Sequence, residues 1–355
     1  MTAWQRSAIA IARSRFAKTV AQPVAGRTLL ARRFVACGTA EAAVSAARSL
    51  RSELGITASL FYLGEYIDDP ARAEETVRES CRAAVLLGQE ALDVHVSVDP
   101  TAIGYLTSEQ LCRQNAERVA QAVAGNARGH SWLMLDMEDL SMLEPTLALL
   151  HHLLTQDLPA AITLQARLRR TRDDLAPLLD KPTAVRLVKG AFPLGPEHDC
   201  QGKREISQSF LSLASMMLSP AAREAGFYPS FGTHDDALAR EVVKLAQANG
   251  WQSDQYEIEF LYGVRTAWQQ ELRTNGVAVR VYLPFGTDWW PYVMRRIGEN
   301  PRNLLLLTRS IVPRAGRRRH TPTPHDSVSR VPMDRGAHAT EFKQLARPSA
   351  IYKQA

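Results

Sequence analysis

The chain has 355 residues, enough for one large domain or two ordinary ones, and its 45 % hydrophobic and 23 % charged residues exclude a disordered or fibrous protein. With 20 glycines and 19 prolines it is not collagen-like, and no window holds 18 uncharged apolar residues, so no transmembrane helix is expected. The net charge of +6 belongs to the ends: residues 1–40 hold seven basic residues and no acid, and the stretch from Pro313 holds nine Lys and Arg against three Asp and Glu.

That placement leaves the stretch from Glu41 to Val312 at −7. A nucleic-acid-binding domain carries its positive charge on a folded face, so no nucleic-acid partner is expected. The four cysteines (Cys37, Cys81, Cys112 and Cys200) form no C-x-x-C pair and no metal spacing. They read as reduced thiols of a cytoplasmic protein, with no metal site.

In chain order, the acid-free start sets Arg6, Arg13, Arg15 and Lys18 among Trp4, Ile9, Ile11 and Phe16. It reads as a short amphipathic helix or frayed arm, with a transit-like segment left open and a secretory signal not expected. Eight runs rich in β-branched or aromatic residues follow as strand candidates. They are SLFYLGE from Ser59, LDVHVSV from Leu92, SWLMLDM from Ser131, AAITLQA from Ala160, TAVRLVKG from Thr183, FYPSFGT from Phe227, YEIEFLY from Tyr256 and VAVRVYLP from Val277.

Helical stretches lie between them. One apolar face is expected from Val77, Cys81, Ala84 and Val85, a second from Cys112, Ala116, Val119 and Val123, and a third from Leu238, Val242, Leu245 and Ala246. Capping boxes are read at Thr107 to Gln110, Thr171 to Asp174 and Thr233 to Asp236. Strand starts recur about every thirty residues, the length of a strand and a crossover helix. Eight such units predict a (β/α)₈ barrel over 51–312, with an N-terminal helical arm over 1–50 and a basic, disordered tail over 313–355. A doubly wound sheet ranks second, because no strand runs into G-x-G-x-x-G or a Walker A sequence.

In such a barrel the chemistry gathers at the C-terminal strand ends. Those ends carry Asp99, Asp136 and Glu138, Gln165, Arg186 and Lys189, Thr233 and His234, Tyr262 and Arg265, and Tyr282. Any barrel exposes polar strand ends, so each taken singly is ordinary. Arg186 and Lys189 stand out, since an unpaired charge in the apolar run AVRLVKGAF would be costly. After the last strand, Arg295 and Arg296 stand about 100° apart on a helix, with Tyr292 and Glu299 on the face of Arg295. Bottom-up, the site suits a small carboxylate-bearing substrate beside a larger anionic cofactor whose phosphate meets a helix N-terminus at Thr233 and His234. A Schiff-base aldolase on Lys189 stays open at this point.

RVYLPFGTDWWPYVMRR followed by Glu299, together with VRLVKGAF, resembles the proline dehydrogenase family, and LMLDMED, TLQARLRRT, FGTHDD and YEIEFLYGVR resemble that family's other strands in the same order. The resemblance spans Phe34 to Asn303 and implies a distorted (β/α)₈ barrel that binds FAD at its mouth and oxidises L-proline to Δ1-pyrroline-5-carboxylate. It implies that Arg295 and Arg296 clamp the proline carboxylate, that Glu299 supports Arg295, and that Tyr282, Tyr292 and Leu187 wall the ring. Arg186 is implied beside flavin N5, and Lys189, Gly190 and Ala191 in cofactor contacts. Met137 and Gln165 are implied on the isoalloxazine side, Thr233 and His234 on the phosphate or adenosine side, and Asp136 in the catalytic polar network.

The resemblance further implies hydride transfer to N5 and a quinone-type electron acceptor. Three positions depart from the family's pattern: Asp99 replaces a lysine of the carboxylate pocket, Phe192 a tyrosine, and Glu259 a glutamine. Asp99 is expected to turn away and pair with a cation such as Lys189, or else to face the pocket and meet a donor that proline lacks. Retained Tyr282 favours proline over hydroxyproline. A flavoenzyme for another cyclic imino acid, and a flavin-binding barrel without turnover, are the alternatives. The basic ends leave a peripheral contact with the inner membrane face open.

Overall fold

The computed structural model describes Val35, residues 37–191 and residues 195–299, excluding the side chains of residues 295 and 297–299. Of the arm expected over 1–50, residues 1–34 and 36 lie outside the described residues, as do Phe192 and the tail. Each of the eight apolar runs forms a strand: β1 Thr57–Tyr62, β2 His95–Val98, β3 Trp132–Leu135, β4 Ala160–Gln165, β5 Ala184–Val188, β6 Tyr228–Gly232, β7 Glu257–Leu261 and β8 Val279–Phe285. They pair in parallel and in chain order, and β8 closes on β1 with Ser59 opposite Tyr282. This is the expected (β/α)₈ barrel. Parallel barrel strands are covered on both faces, which is why they read as continuous apolar runs: β2 and β4 are buried at every position.

Helices α1 Ala40–Leu54, α2 Pro70–Gln89, α3 Glu109–Asn126, α4 Leu143–Leu154, α5 Thr171–Leu175, α6 Gly202–Met217, α7 Pro220–Glu224, α8 Asp236–Ala248, α9 Thr266–Thr274 and α10 Trp290–Glu299 follow in chain order. α1 crosses residue 50, and its Ala40, Ala43, Val44 and Ala47 pack into one core with Ile56 and Leu60. Its N-cap is Thr39, and its C-cap Gly55 adopts φ +65°.

Two expected faces need adjusting. On α2 the buried face is Ala73, Val77, Ser80, Ala84 and Leu87, while Cys81 is partly covered and Val85 is exposed. On α8 Leu245 is only partly covered. The α3 face is buried as expected.

All three capping boxes are displaced. The α3 cap is Ser108, whose hydroxyl accepts from Leu111 N. α5 begins at Thr171 itself, and that hydroxyl donates to Gln165 O at 2.6 Å. α8 is capped by Asp235, not Thr233. On α3 and α8 a neighbouring short polar side chain reaches the first amides instead, a competition that spacing alone does not resolve, while the α5 N-cap, Arg170, makes no side-chain cap bond.

At the N-terminal end of the barrel Arg280 has no exposed surface. Its Nε donates to both oxygens of Glu257 at 2.8 and 2.9 Å, Nη1 to Ala58 O at 2.9 Å, and Nη2 to Asp93 at 2.8 Å. Tyr228 also donates to Glu257 at 3.1 Å, and His130 stacks on the Tyr228 ring. This end is therefore closed by paired charge, away from the mouth.

At the other end β8 turns at Gly286, where φ is +116° and a Cβ would sit 3.1 Å from the Tyr62 ring, so the turn into α10 requires glycine. Replacing Arg280 by methionine strips Glu257 and Asp93 of their shared cation. The expected loss is about 3–5 kcal/mol in urea unfolding of the full-length protein; a loss below about 1 kcal/mol would show that the pairing is not structural.

Candidate active site

The strand alternation that covers both faces of the sheet also points one set of side chains down the barrel axis. At the level of the mouth these inward residues are polar. Arg186 of β5 is 4 % exposed and makes five hydrogen bonds across the barrel. Nε donates to Glu259 at 2.6 Å; Nη1 donates to Asp136 at 2.6 Å and Thr163 at 3.3 Å; Nη2 donates to Ser59 at 3.3 Å and Ser97 at 3.2 Å. Its five N–H groups are all used inside the barrel, so Arg186 reaches the mouth through Asp136 rather than through a spare donor.

Asp136 follows β3 and is the relay. Its Oδ1 accepts from Arg186 and from the Thr163 hydroxyl at 2.9 Å, and its Oδ2 accepts from the Tyr282 hydroxyl at 2.8 Å. The Tyr282 ring lies 5.3 Å from Phe61 and 5.2 Å from the Arg186 guanidinium carbon. Burial, then the charges of Asp136 and Asp99, push its phenol well above the ordinary range, so Tyr282 remains a donor.

Asp99 is therefore close to this pair. It is 7 % exposed, at the start of the short turn Pro100–Ile103. Pairing of Asp99 with Lys189 is not what the structure shows for that lysine: Lys189 Nζ is 2.7 Å from Asp235. Asp99 directly follows β2, at the C-terminal end of the barrel. Lys189 is ion-paired and partly exposed, unlike the dry apolar setting of an amine nucleophile.

α10 brings Tyr292 and Arg296 to the same mouth. Tyr292 is buried, and the Arg296 guanidinium carbon lies 5.2 Å from its ring centroid. Tyr292 thus meets Arg296, one turn on; the side chains of Arg295 and Glu299 are outside the described residues. Burial, then Arg296 and Arg265, press the His234 imidazole down to about 4, so it is neutral. Its Nε2 accepts from Leu261 N at 3.2 Å, which leaves the proton on Nδ1.

The expected phosphate seat on open amides after Thr233 and His234 is already filled. Asp235 accepts from Ala237 N and Leu238 N, and Thr233 accepts from Asp235 N at 3.2 Å. Two cations stand there: Lys189 donates to Asp235 at 2.7 Å, and Arg265 donates to His234 O at 2.8 Å and to Asp236 at 2.8 Å.

At the end of β4 Gln165 Nε2 donates to Glu138 O at 3.3 Å, while its Oε1 is buried with no hydrogen-bond partner among the described residues. Gly190 approaches it closely: φ is +91°, and a Cβ there would lie 2.6 Å from that oxygen. Met137 is partly buried next to Asp136, and Ala191 is exposed. Leu187 has no exposed surface and packs in the core shared by strands and helices, so the structure does not bring it to the mouth.

Sequence reasoning gave no role to Ser59, Ser97, Thr163 and Ser230, which complete the Arg186 layer. It named Glu138 as a polar strand end without a task. Its carboxylate takes Thr101 N at 3.0 Å and the Thr101 hydroxyl at 2.5 Å, tying the loop after β2 to the loop after β3, and burial raises it to about 7. Among the described residues no group of three His, Cys, Asp or Glu is placed to hold a metal, and no helix is long and apolar enough to cross a membrane.

The sequence model of the proline dehydrogenase family matches residues 43–308, most of the chain. The chain belongs to the proline dehydrogenase family. It is 33 % identical over 288 residues to proline dehydrogenase 1 of Bacillus subtilis subsp. natto, covering 81 % of this chain and 92 % of that protein. It is 31 % identical to the proline dehydrogenase of Deinococcus radiodurans, covering 80 % and 90 %. Membership makes it an oxidoreductase acting on a CH–NH bond.

Among solved structures, proline utilization A of Bdellovibrio bacteriovorus, inactivated by N-propargylglycine, superposes with a TM-score of 0.68 at 20 % identity over 79 % of the chain. Proline utilization A of Corynebacterium freiburgense gives 0.65 at 20 % identity over 88 %. The chain spans about a third of those larger proteins (33 % and 35 %), and the likeness is one of fold.

Asp136 accepts three donors, and an amide cannot accept on both sides. Asp136→Asn is expected to cost about 1.5–3 kcal/mol in urea unfolding, through the weakened bond from Arg186. An unchanged midpoint and slope would remove Asp136 from the relay.

Proposed function

We propose that this chain oxidises L-proline to Δ1-pyrroline-5-carboxylate, with FAD as the hydride acceptor and a quinone-type molecule as the final electron acceptor. The observation that carries the reading is the Arg186–Asp136–Tyr282 relay ending at a mouth that Arg296 and Tyr292 also face. The mouth suits a flavin. A buried acceptor without a partner on Gln165, beside a backbone that only glycine can occupy at Gly190, matches a flat ring that carries its own N–H.

Met137, Gln165, Gly190 and Ala191 would hold the ring side, and Lys189, Thr233 and neutral His234 the phosphate or adenosine side. Bound there, FAD supplies a two-electron acceptor at N5. The rest falls to side chains. Arg296, with Arg295, binds the carboxylate as a guanidinium fork that fixes a plane as well as a charge. Tyr282 and Tyr292 wall the ring, and Asp136 keeps the Tyr282 hydroxyl from turning. Arg186, fixed beneath them, contributes a positive charge that needs no reorganisation during the reaction. A substrate ammonium must lose its proton before hydride can leave C5, and the aromatic walls favour the uncharged amine.

Asp99, a buried acid at the C-terminal end of β2 where the family's pattern has a lysine, favours a second reading, in which the imino acid carries an added donor such as a ring hydroxyl. The reaction sits in a reducing, cytoplasmic setting, with a peripheral membrane contact through the basic ends as a further part of the proposal.

Anaerobic mixing of the purified protein with L-proline tests the first reading: its flavin absorbance is expected to bleach. Arg296→Met is expected to require about ten- to a hundredfold more proline with flavin content unchanged, since a charge-assisted pair is worth about 1.5–3 kcal/mol. A protein without flavin, or one that ignores proline, would overturn it. Bleaching by hydroxyproline alone would favour the second reading.

A further inference from the structure

The barrel interior holds two arginines, and two carboxylates share each of them. Arg186 meets Asp136 and Glu259 at 2.6 Å each. Arg280 meets Glu257 and Asp93 at 2.8 Å each. Four carboxylates to two guanidiniums is an excess of negative charge, and a dry interior holds unmatched anions at high cost.

The four carboxylates are not equally served. Asp93 is on the rim, its side chain 18 % exposed. Asp136 spends both oxygens on Arg186, Thr163 and Tyr282. Glu257 spends both on Arg280 and Tyr228. Glu259 differs. Its Oε2 accepts from Arg186 and from the Ser230 hydroxyl at 3.2 Å, while its Oε1 is buried with no hydrogen-bond partner among the described residues.

The residue is 3 % exposed. The charged groups that act on it are Arg186 on β5, Glu257 on its own strand and Arg280 on β8; Asp136 shares Arg186 with it, Tyr228 on β6 donates to Glu257, and His95 on β2 lies beside both arginines. His95 is held neutral by burial. Burial raises the Glu259 carboxyl above the ordinary range, the Glu257 charge adds to this, and the two arginines lower it.

We propose that Glu259 is a positioning residue of the active site and works as a neutral acid: one oxygen holds Arg186 Nε, and the proton stays on its side chain. Holding Nε turns the Nη1 edge of the guanidinium toward Asp136, which in turn aims the Tyr282 hydroxyl. An ionised Glu259 would compete with Asp136 for the same cation. The hydrogen bond is what matters here, so an amide replaces the carboxyl. This deepens the proposed function and rests on it only for the kinetic readout.

Glu259→Gln and Glu259→Leu in the full-length protein test it. The native state favours the protonated form, so wild-type stability is fully present below the unfolded carboxyl range and is lost as pH rises from about 4.5 through the raised native value. Glu259→Gln does not titrate, so its melting temperature is expected to pull ahead of wild type with rising pH, by about 2–4 °C for each kcal/mol of difference. Its rate of flavin reduction by proline is expected to stay within about twofold of wild type at neutral pH, and to hold as pH rises through the range where wild type falls. Glu259→Leu, which has no acceptor, is expected to lose about tenfold or more.

A melting gap that does not change with pH would overturn the neutral acid. Equal losses in the glutamine and leucine variants, or full rate in the leucine variant, would overturn the positioning role. If wild-type flavin ignores proline, the functional reading fails, and the melting comparison still decides the state of Glu259.

Discussion

A single guanidinium inside a closed barrel ties the fold to its mouth. The strand amides are all spent on their neighbours, so polar groups that point down the axis have only each other. Arg186 answers that constraint with five donors in one rigid fork, reaching β1, β2, β4, β7 and the end of β3. Because Nη1 fixes one oxygen of Asp136, the other oxygen has a settled direction, and Tyr282 takes it. The side chain that closes the polar interior is thereby the one that aims the mouth.

The same device is used twice along the axis, to different ends. Arg280 seals the N-terminal layer against Glu257 and Asp93 and has no exposed surface, so its charge contributes to stability alone. Arg186 occupies the upper layer, where its partner Asp136 opens onto groups from α10. Between them Glu257 and Glu259 share one face of β7, two residues apart, which is why the state of one is felt by the other. Around the rim, Glu138 ties the Thr101 turn down through the hydroxyl and the amide, and its backbone oxygen accepts from Gln165. The walls of the mouth are thus linked through hydrogen bonds that touch no substrate.

Much of this was legible in the sequence for a physical reason. Strands covered on both faces must be apolar throughout, so runs such as AAITLQA stood out, and their recurrence at the length of a strand plus a helix indicated a barrel. The charges in AVRLVKG were conspicuous because they interrupt such a run, and the ordered motifs carried the family. Ser59, Ser97, Thr163 and Ser230 were not legible, since a small polar residue in a strand acquires meaning only when closure puts it in one layer with others. Helix starts slipped for a related reason: Ser108 and Asp235 lie one or two residues from the threonines that the pattern favoured, and only backbone geometry chooses between them. The pairing of Lys189 with Asp235, instead of Asp99, likewise depends on which loops meet across the mouth.

The dependence of the mouth on the fork, as distinct from its charge, is tested most directly by Arg186→Lys, measured by anaerobic flavin reduction with proline alongside thermal unfolding. Lysine keeps the positive charge but has three donors at a single point instead of five in a plane. The variant is expected to fold and bind flavin but to lose at least about a hundredfold in reduction rate, because Asp136 and Tyr282 are no longer held in register. Near-normal reduction by Arg186→Lys would contradict the dependence and leave charge alone as the requirement.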